Sequence, residues 1–319
     1  MSRADRQLDL CSPIDRAMMR APSSTAQVIE SFFLAYCHNA HTRRAYRRAV
    51  ATWIDHCERH QLHPLHARPA QVAAHIEALP GSTRTKKARC AALRSFFRFL
   101  AEHGEIVFNP ASELRAPRLS ARTGETRGLS RDEARALLDA LDARAQRPHV
   151  TGHRWSAHRN AAFVATMLYT WARIGTIQAL PLDAIETDGG ARYIRLEGKR
   201  GRVHRMPIHS RLAPILERWL SIRGDRPGLL FPTRSAPDRP TPSRTIRAAI
   251  LSAAKRAGIV TDGLCPHSLR VTAITNYLAN GGDIAKAARM AGHADPSTTR
   301  LYDRNDQEAT LAEVERVNV

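Results

Sequence analysis

The chain has 319 residues and carries 49 Lys+Arg against 30 Asp+Glu, a formal net charge of +19. With 43% hydrophobic and 25% charged residues it has the composition of a folded protein, which excludes wholesale disorder, and its length suits two domains. The charge predicts a polyanionic partner, nucleic acid ahead of an anionic membrane.

A membrane-spanning helix needs about 20 apolar residues. The longest nearly apolar run, residues 161–172, stops at Arg173 after 12, so no spanning helix and no membrane partner is predicted. The opening MSRADRQLDL has no apolar stretch and predicts no secretory leader. Five dispersed cysteines (Cys11, Cys37, Cys57, Cys90, Cys265) form no C-x-x-C pair, which fits reduced thiols in a cytoplasm.

Residues 1–22 show no periodicity and read as a tail. Residues 23–115 read as a helical domain, 116–128 as a linker and 129–319 as a second domain. In residues 25–36, Val28, Ile29, Phe32 and Phe33 share one helical face. Thr42 opens a second helix, with Arg43, Arg44, Arg47 and Arg48 set against Tyr46, Val50, Trp53 and Ile54. The stretch from His56 to His66 is rich in histidine, but Pro64 breaks its register and no second ligand pair matches it, so no metal is predicted. A third helix spans residues 69–79. A fourth, 82–103, combines Arg84, Lys86, Lys87, Arg89, Arg94 and Arg98 with Leu93, Phe96, Phe97 and Leu100, and Asn109-Pro110 ends the pattern. The nearly unopposed basic stripes of helices two and four predict phosphate-backbone contacts through Arg43, Arg44, Arg47, Arg84, Lys86 and Lys87. A merely solvated face is the plainer alternative.

The linker is basic and bears proline and glycine, which suits a clamp closing around a duplex. Leu129-Ser130-Arg131-Asp132-Glu133 is a capping box preceded by an apolar residue, and starts a helix running to about residue 145. Residues 193–196 and 203–208 alternate with period two around a basic tip, a β-hairpin with Lys199, Arg200 and Arg202 at its turn. Gly198-Lys199 lacks the earlier glycine and the following Ser/Thr of a phosphate-binding loop, and no G-x-G-x-x-G is present. Nucleotide-driven chemistry therefore has no motif.

Four segments stand in order: Leu168-Tyr169-Thr170-Trp171-Ala172-Arg173-Ile174-Gly175, the tip at Lys199, Pro266-His267-Ser268-Leu269-Arg270, and Ala291-Gly292-His293 continuing to Thr299-Arg300-Leu301-Tyr302. Together they resemble the tyrosine recombinase (phage integrase) family, in its Xer-like, core-type form without an arm-binding domain, over residues 24–319. The resemblance implies a mainly α fold with a small β-hairpin or sheet. A helical, SAM-like core-binding domain would precede a mixed α/β catalytic domain, and no cofactor is implied.

The residue types suit that chemistry. Breaking a DNA phosphodiester requires stabilising extra negative charge in a five-coordinate transition state, which a guanidinium fork does without a metal. By resemblance, Arg173 and Arg270 clamp the phosphate, His267 contributes to the phosphate pocket or assists proton transfer from the nucleophile, His293 binds a non-bridging oxygen and Tyr302 is the nucleophile. Lys199 is the implied general acid, and only 5 of the 49 basic residues are Lys. Arg173, directly after an apolar run, is expected to be semi-buried; Arg270 has the weaker case of its own. The other tyrosines, Tyr36, Tyr46, Tyr169, Tyr193 and Tyr277, sit in apolar or alternating patterns and read as packing residues.

The chain departs from the family pattern where Thr176 replaces the acidic residue after the first arginine, and where Val271 follows Arg270. Both departures point away from housekeeping Xer enzymes and towards an integrase of a mobile element. Leu311, Val314 and Val317 recur at helical spacing. In the family such a tail docks on the neighbouring protomer, implying a dimer on one double-stranded, inverted-repeat core site and a tetramer in synapsis; packing in cis is the alternative. The 22-residue tail preceding the first helix is too short for an arm-site domain. A type IB topoisomerase, or a non-catalytic DNA-binding architectural protein, would share parts of this picture.

Overall fold

The computed structural model describes residues 23–116, 126–147, 151–197, 203–292 and Thr299. The chain forms two compact units, Met1–Ala121 and Arg122–Val319, each with its own apolar core.

The N-terminal unit holds four helices, α1 (Ser23–Tyr36), α2 (Ala40–Arg59), α3 (Pro69–Ala78) and α4 (Thr83–Glu102). α2 starts two residues before the predicted Thr42. Asn39 caps it: the Asn39 carbonyl accepts from the Arg43 amide at 2.8 Å and its side chain from the Thr42 amide at 3.3 Å. Ser82 caps α4 by accepting from the Thr85 amide. The apolar faces meet in a core of Ile29, Phe32, Phe33, Val50, Trp53, Val72, Ile76, Leu93, Phe96, Phe97 and Leu100. Burying each such side chain contributes about 1.5–3 kcal/mol.

Of the histidine-rich stretch, His56, Cys57 and Leu65 belong to this core, while His60, His63 and His66 are exposed. His56 is buried beside Trp53, and its ring lies 4.3 Å from that of His60 and 4.8 Å from that of His75, which comes from α3. Among the described residues no group of three His, Cys, Asp or Glu is placed to hold a metal ion. Cys37, Cys57 and Cys90 are buried free thiols.

The first helix of the second unit starts at the capping box. The Ser130 hydroxyl accepts from the Glu133 amide at 3.1 Å and the Glu133 carboxylate from the Ser130 amide at 2.8 Å. Helix α5 (Arg131–Gln146) follows, then α6 (Thr151–Thr170) and the short α7 (Ile174–Gln178). The apolar run lies mostly in α6, where Ala161, Ala162, Phe163, Val164, Ala165 and Met167 are all buried. A helix apolar on every side is a core helix, and α6 packs against α5, α8 (Ala213–Arg223) and α10 (Pro266–Ala279).

Strands β1 (Ile185–Asp188), β2 (Ala191–Glu197) and β3 (Val203–Pro207) form an antiparallel sheet in that order. The predicted hairpin is β2–β3, paired from Tyr193↔Pro207 to Glu197↔Val203. β1 escapes the sequence pattern because Ile185-Glu186-Thr187-Asp188 offers one apolar residue in four. On this sheet Arg195 and Arg205 share Glu186, at 2.8 and 3.0 Å. β4 (Pro232–Thr233) and β5 (Ala236–Pro240) make a second, two-stranded sheet, followed by α9 (Ser243–Arg256), α10 and α11 (Ile284–Ala291). No helix among the described residues is long and apolar enough to cross a membrane.

Burial pushes the His75 imidazole down to about 4, with smaller effects from the charges of His56, Arg89 and Arg59. Its Nε2 is buried without a hydrogen-bond partner. A depressed histidine value means that the unfolded chain binds the proton first. The stability present above pH 6.5 is therefore lost as pH falls from 6.5 towards 4, by about 3 kcal/mol in all. Hydrogen exchange of α2 and α3 amides should show protection falling across that interval, and His75→Leu should flatten the fall.

Candidate active site

Helix α10 carries the centre of the site. Cys265 caps it in an extended conformation, Pro266 occupies its first turn, and the Cys265 amide donates to the Ser268 hydroxyl at 3.1 Å. This start places His267 one turn before Arg270, so the two can face one group. Thr272, on the same helix, accepts from the Leu129 amide at 2.8 Å, tying α10 to the start of α5. Val271 is buried against Gly128; the departure at that position is a packing residue.

Arg270 is 2% exposed. Its Nη1 donates to the Trp171 carbonyl and its Nη2 to the Ala291 carbonyl. Trp171 directly follows α6, and Ala291 is the last residue of α11. Helix C-termini present unsatisfied carbonyls and a partial negative charge, so two of them compensate this buried cation. The two carbonyls stand two residues before Arg173 and His293 respectively. One guanidinium thus fixes where both segments leave their helices.

Arg173 differs from its expectation. It is exposed rather than semi-buried. Trp171 takes a left-handed conformation with φ 59°, turning the chain at the end of α6, and Arg173 follows as the extended N-cap of α7. Burial ends with Ala172, 7% exposed, so the guanidinium leaves the core instead of ending inside it. Arg270, with the weaker case in sequence, is the buried cation.

His267 has an exposed edge, yet its value lies below the ordinary histidine 6.5. Partial desolvation is the largest cause, followed by the positive charges of Arg270 and then Arg173. The three residues therefore share one electrostatic environment, which favours the neutral imidazole over the charged one. A neutral imidazole between two cations can accept a proton, while the exposed arginine can take an anion.

The chain turns towards His293 through Gly292, which ends α11 with φ 60° and donates to the Arg289 carbonyl at 2.9 Å. His293, Tyr302, Lys199, Arg200, Arg202 and the 306–319 segment lie outside the described residues. Thr299, three positions before Tyr302, is fully buried. The five other tyrosines are engaged elsewhere. Tyr36 donates to Glu102, Tyr46 stacks on Phe32, Tyr169 on His209, Tyr193 lies under Arg205, and Tyr277 meets Trp171 edge-on.

In the N-terminal unit the basic stripes are less open than their sequence suggests. Arg47 pairs with Glu30 at 2.9 Å and lies over the Phe33 ring. Arg43 donates to the Cys37 carbonyl, and the Lys86 ammonium to the Glu77 carbonyl. Arg44, Arg48, Arg84 and Lys87 are exposed. The sequence pattern does not distinguish these basic residues, and in it Trp171 belongs to an apolar run and to the segment that leads to Arg173. Nothing in the sequence marks the backbone conformation of Trp171.

Comparison with known proteins gives one consistent result. Residues 127–309 match the phage integrase family, and residues 29–104 match the phage integrase N-terminal SAM-like domain. The chain is 29% identical to tyrosine recombinase XerC of Azotobacter vinelandii over 275 residues, 83% of this chain and 86% of that one. It is also 29% identical to tyrosine recombinase XerD of Brucella suis, over 70% of this chain and 73% of that protein. In fold it resembles the XerH site-specific recombinase bound to palindromic difH substrate (TM-score 0.67, 17% identity, 83% of this chain and 76% of that one). It likewise resembles a lambda integrase dimer bound to a COC′ core site (TM-score 0.65, 19% identity, 89% and 97%).

The two arginines should respond oppositely to removal. Arg270→Leu strands two buried carbonyls, at about 1–3 kcal/mol each, whereas Arg173→Ala at an exposed position should change stability by no more than about 0.5 kcal/mol. Urea unfolding of the two variants checks this.

Proposed function

The chain belongs to the phage integrase family, and from that premise we propose that it is a site-specific tyrosine recombinase that cleaves and rejoins DNA strands through a 3′-phosphotyrosine. The observation carrying this reading is the buried Arg270, which holds the ends of the segments leading to Arg173 and His293 on the helix that also bears His267. Such a prearranged positive pocket stabilises charge that develops on a phosphate.

In the proposed reaction the Tyr302 phenolic oxygen attacks the scissile phosphorus and the bond to the 5′-oxygen breaks. A phenol ionises near 10, so it needs both the positive pocket and a proton acceptor, and His267 is the group poised to accept. Arg173 takes a non-bridging oxygen, His293 a second, and Arg270 adds its charge from beneath. Lys199 gives a proton to the departing 5′-oxygen; an arginine would hold that proton too tightly. The products are a 3′-phosphotyrosine and a free 5′-hydroxyl. Attack by another strand's 5′-hydroxyl then reverses the same steps.

The N-terminal helical unit, residues 23–115, would form the other half of a clamp on double-stranded DNA, with the linker 116–128 between it and the catalytic domain 129–319. Among its candidate contacts, Arg44, Arg84 and Lys87 are exposed, and Arg43, Arg47 and Lys86 are half-buried in contacts of their own. Basic charge on both sides of a duplex suits binding: residues 1–115 carry +7 and residues 116–319 carry +12. The hairpin arginines Arg200 and Arg202 would add contacts beside Lys199. We place the protein in a bacterial cytoplasm, on inverted-repeat core sites, as a dimer per site and a tetramer in synapsis. The terminal segment with Leu311, Val314 and Val317 would link protomers. The departure at Thr176 favours an origin in a mobile element.

The deciding substrate is a duplex selected by binding from a randomised inverted-repeat library and nicked beside the cleaved phosphate. Wild type should form a covalent 3′-DNA adduct and Tyr302→Phe none; an adduct that persists in Tyr302→Phe sinks the assignment. Truncation after Asn305 should leave binding to one site intact and abolish the joining of two. A truncated protein that joins two sites normally would show that the tail packs in cis, and a wild type that relaxes any plasmid as a monomer would favour a type IB topoisomerase.

A further inference from the structure

Trp171 and Gln61 are the non-glycine residues with positive φ among those described. Gln61 is exposed two residues past the end of α2, where a left-handed residue often terminates a helix. Trp171 is 6% exposed, sits two residues before Arg173, and carries a bulky side chain that disfavours this region. A residue held there needs surroundings that over-determine it.

Three contacts do so. The Trp171 carbonyl accepts from Arg270 Nη1. The indole meets the Tyr277 ring edge-on, at 5.1 Å and 64°. The Ala172 amide donates to the Thr170 hydroxyl at 3.4 Å, closing the turn. Tyr277 lies on α10, seven residues after Arg270. Its ring occupies the space beside Gly282, where an added Cβ would overlap a ring carbon. The Gly282 amide donates to the Tyr277 carbonyl at 3.0 Å, holding that turn against the ring.

These contacts form a chain from Gly282 to the Tyr277 ring, to the Trp171 indole, to the backbone that aims Arg173. We propose that Trp171 is a positioning residue: its left-handed turn, locked by Tyr277 and Arg270, sets the direction in which Arg173 reaches the scissile phosphate. Helix α10 then controls both arginines, one as its own side chain and the other through an indole wedge. Trp171 touches no reacting atom in this scheme; it acts through Arg173. The proposal rests on the recombinase reading above.

The test measures single-turnover adduct formation on the selected nicked duplex, together with duplex affinity, for the full-length chain. Trp171→Gly adopts the turn without strain but no longer fixes it. Misplacing a phosphate-binding group costs about ten- to a hundredfold in rate, so adduct formation should slow by at least tenfold with affinity nearly unchanged. Trp171→Phe, which keeps a ring against Tyr277, should restore most of the rate. In an Arg173→Lys background the same Trp171→Gly change should add little. Wild-type cleavage by Trp171→Gly, or a loss that multiplies fully with Arg173→Lys, would overturn the proposal. If Trp171→Gly shows no cooperative melting, Tyr277→Leu, which removes the wedge's support but leaves Trp171 in place, is judged by the same two outcomes. A wild type indistinguishable from Tyr302→Phe would instead overturn the recombinase reading, and the positioning role with it.

Discussion

The site depends on a cation buried between two helix ends. Taking a guanidinium out of water costs several kcal/mol unless its surroundings compensate, and at Arg270 the carbonyls of Trp171 and Ala291 do so. Both belong to C-termini, where the backbone's partial negative charge is concentrated. The compensation also organises the molecule. Because the two carbonyls come from segments far apart in sequence, satisfying the charge brings those segments together. A leucine at 270 would leave α6 and α11 with no reason to end at the same place.

This arrangement divides the labour between two arginines. Arg270 is buried and held by two main-chain carbonyls. Arg173 is exposed and carried on a turn, free to meet an anion from solvent. A fixed charge below and an accessible fork above is a sound way to prepare for phosphate. Little reorganisation is left for the moment when charge develops. His267 belongs to the same design. Partial desolvation first, and the neighbouring cations second, push its value down, and a neutral imidazole can take up a proton that a charged one would refuse.

Local rules made most of the fold legible. Apolar residues at helical spacing place α1 to α4, the reciprocal Ser130–Glu133 cap marks the start of α5, and alternation around residue 199 marks the hairpin. Each of these signals depends on residues close together in sequence. The strand β1 is invisible because four residues with one apolar side chain become a strand only when β2 is beside them. The exposure of Arg173 is invisible for a deeper reason. It follows from a backbone angle at Trp171 that Tyr277 and Arg270 impose from about a hundred residues away. Motif order proposes the candidate site residues, but it does not tell which arginine is buried. Motif order records what chemistry requires, and burial records how the chain returns on itself.

The predominance of arginine over lysine, 44 to 5, takes on physical content here. Arginine repeatedly staples loops by donating to main-chain carbonyls. Arg223 gives four such bonds, to Gly224, Arg226 and twice to Leu229, while Arg159 reaches Pro232 from a buried position. Arg94 reaches Leu114 and Arg127 reaches Val260 in the same manner. A planar fork with five donors can hold several carbonyls at once and remain charged when buried; a lysine ammonium is a single point that loses its proton more readily. Part of the positive charge is therefore structural, and the net charge overstates what is available to a polyanion. The same property makes arginine a poor proton donor. A protein that uses arginine to brace its loops and, in the proposed reaction, to bind phosphate still needs another residue type wherever a proton must leave, the role proposed for Lys199.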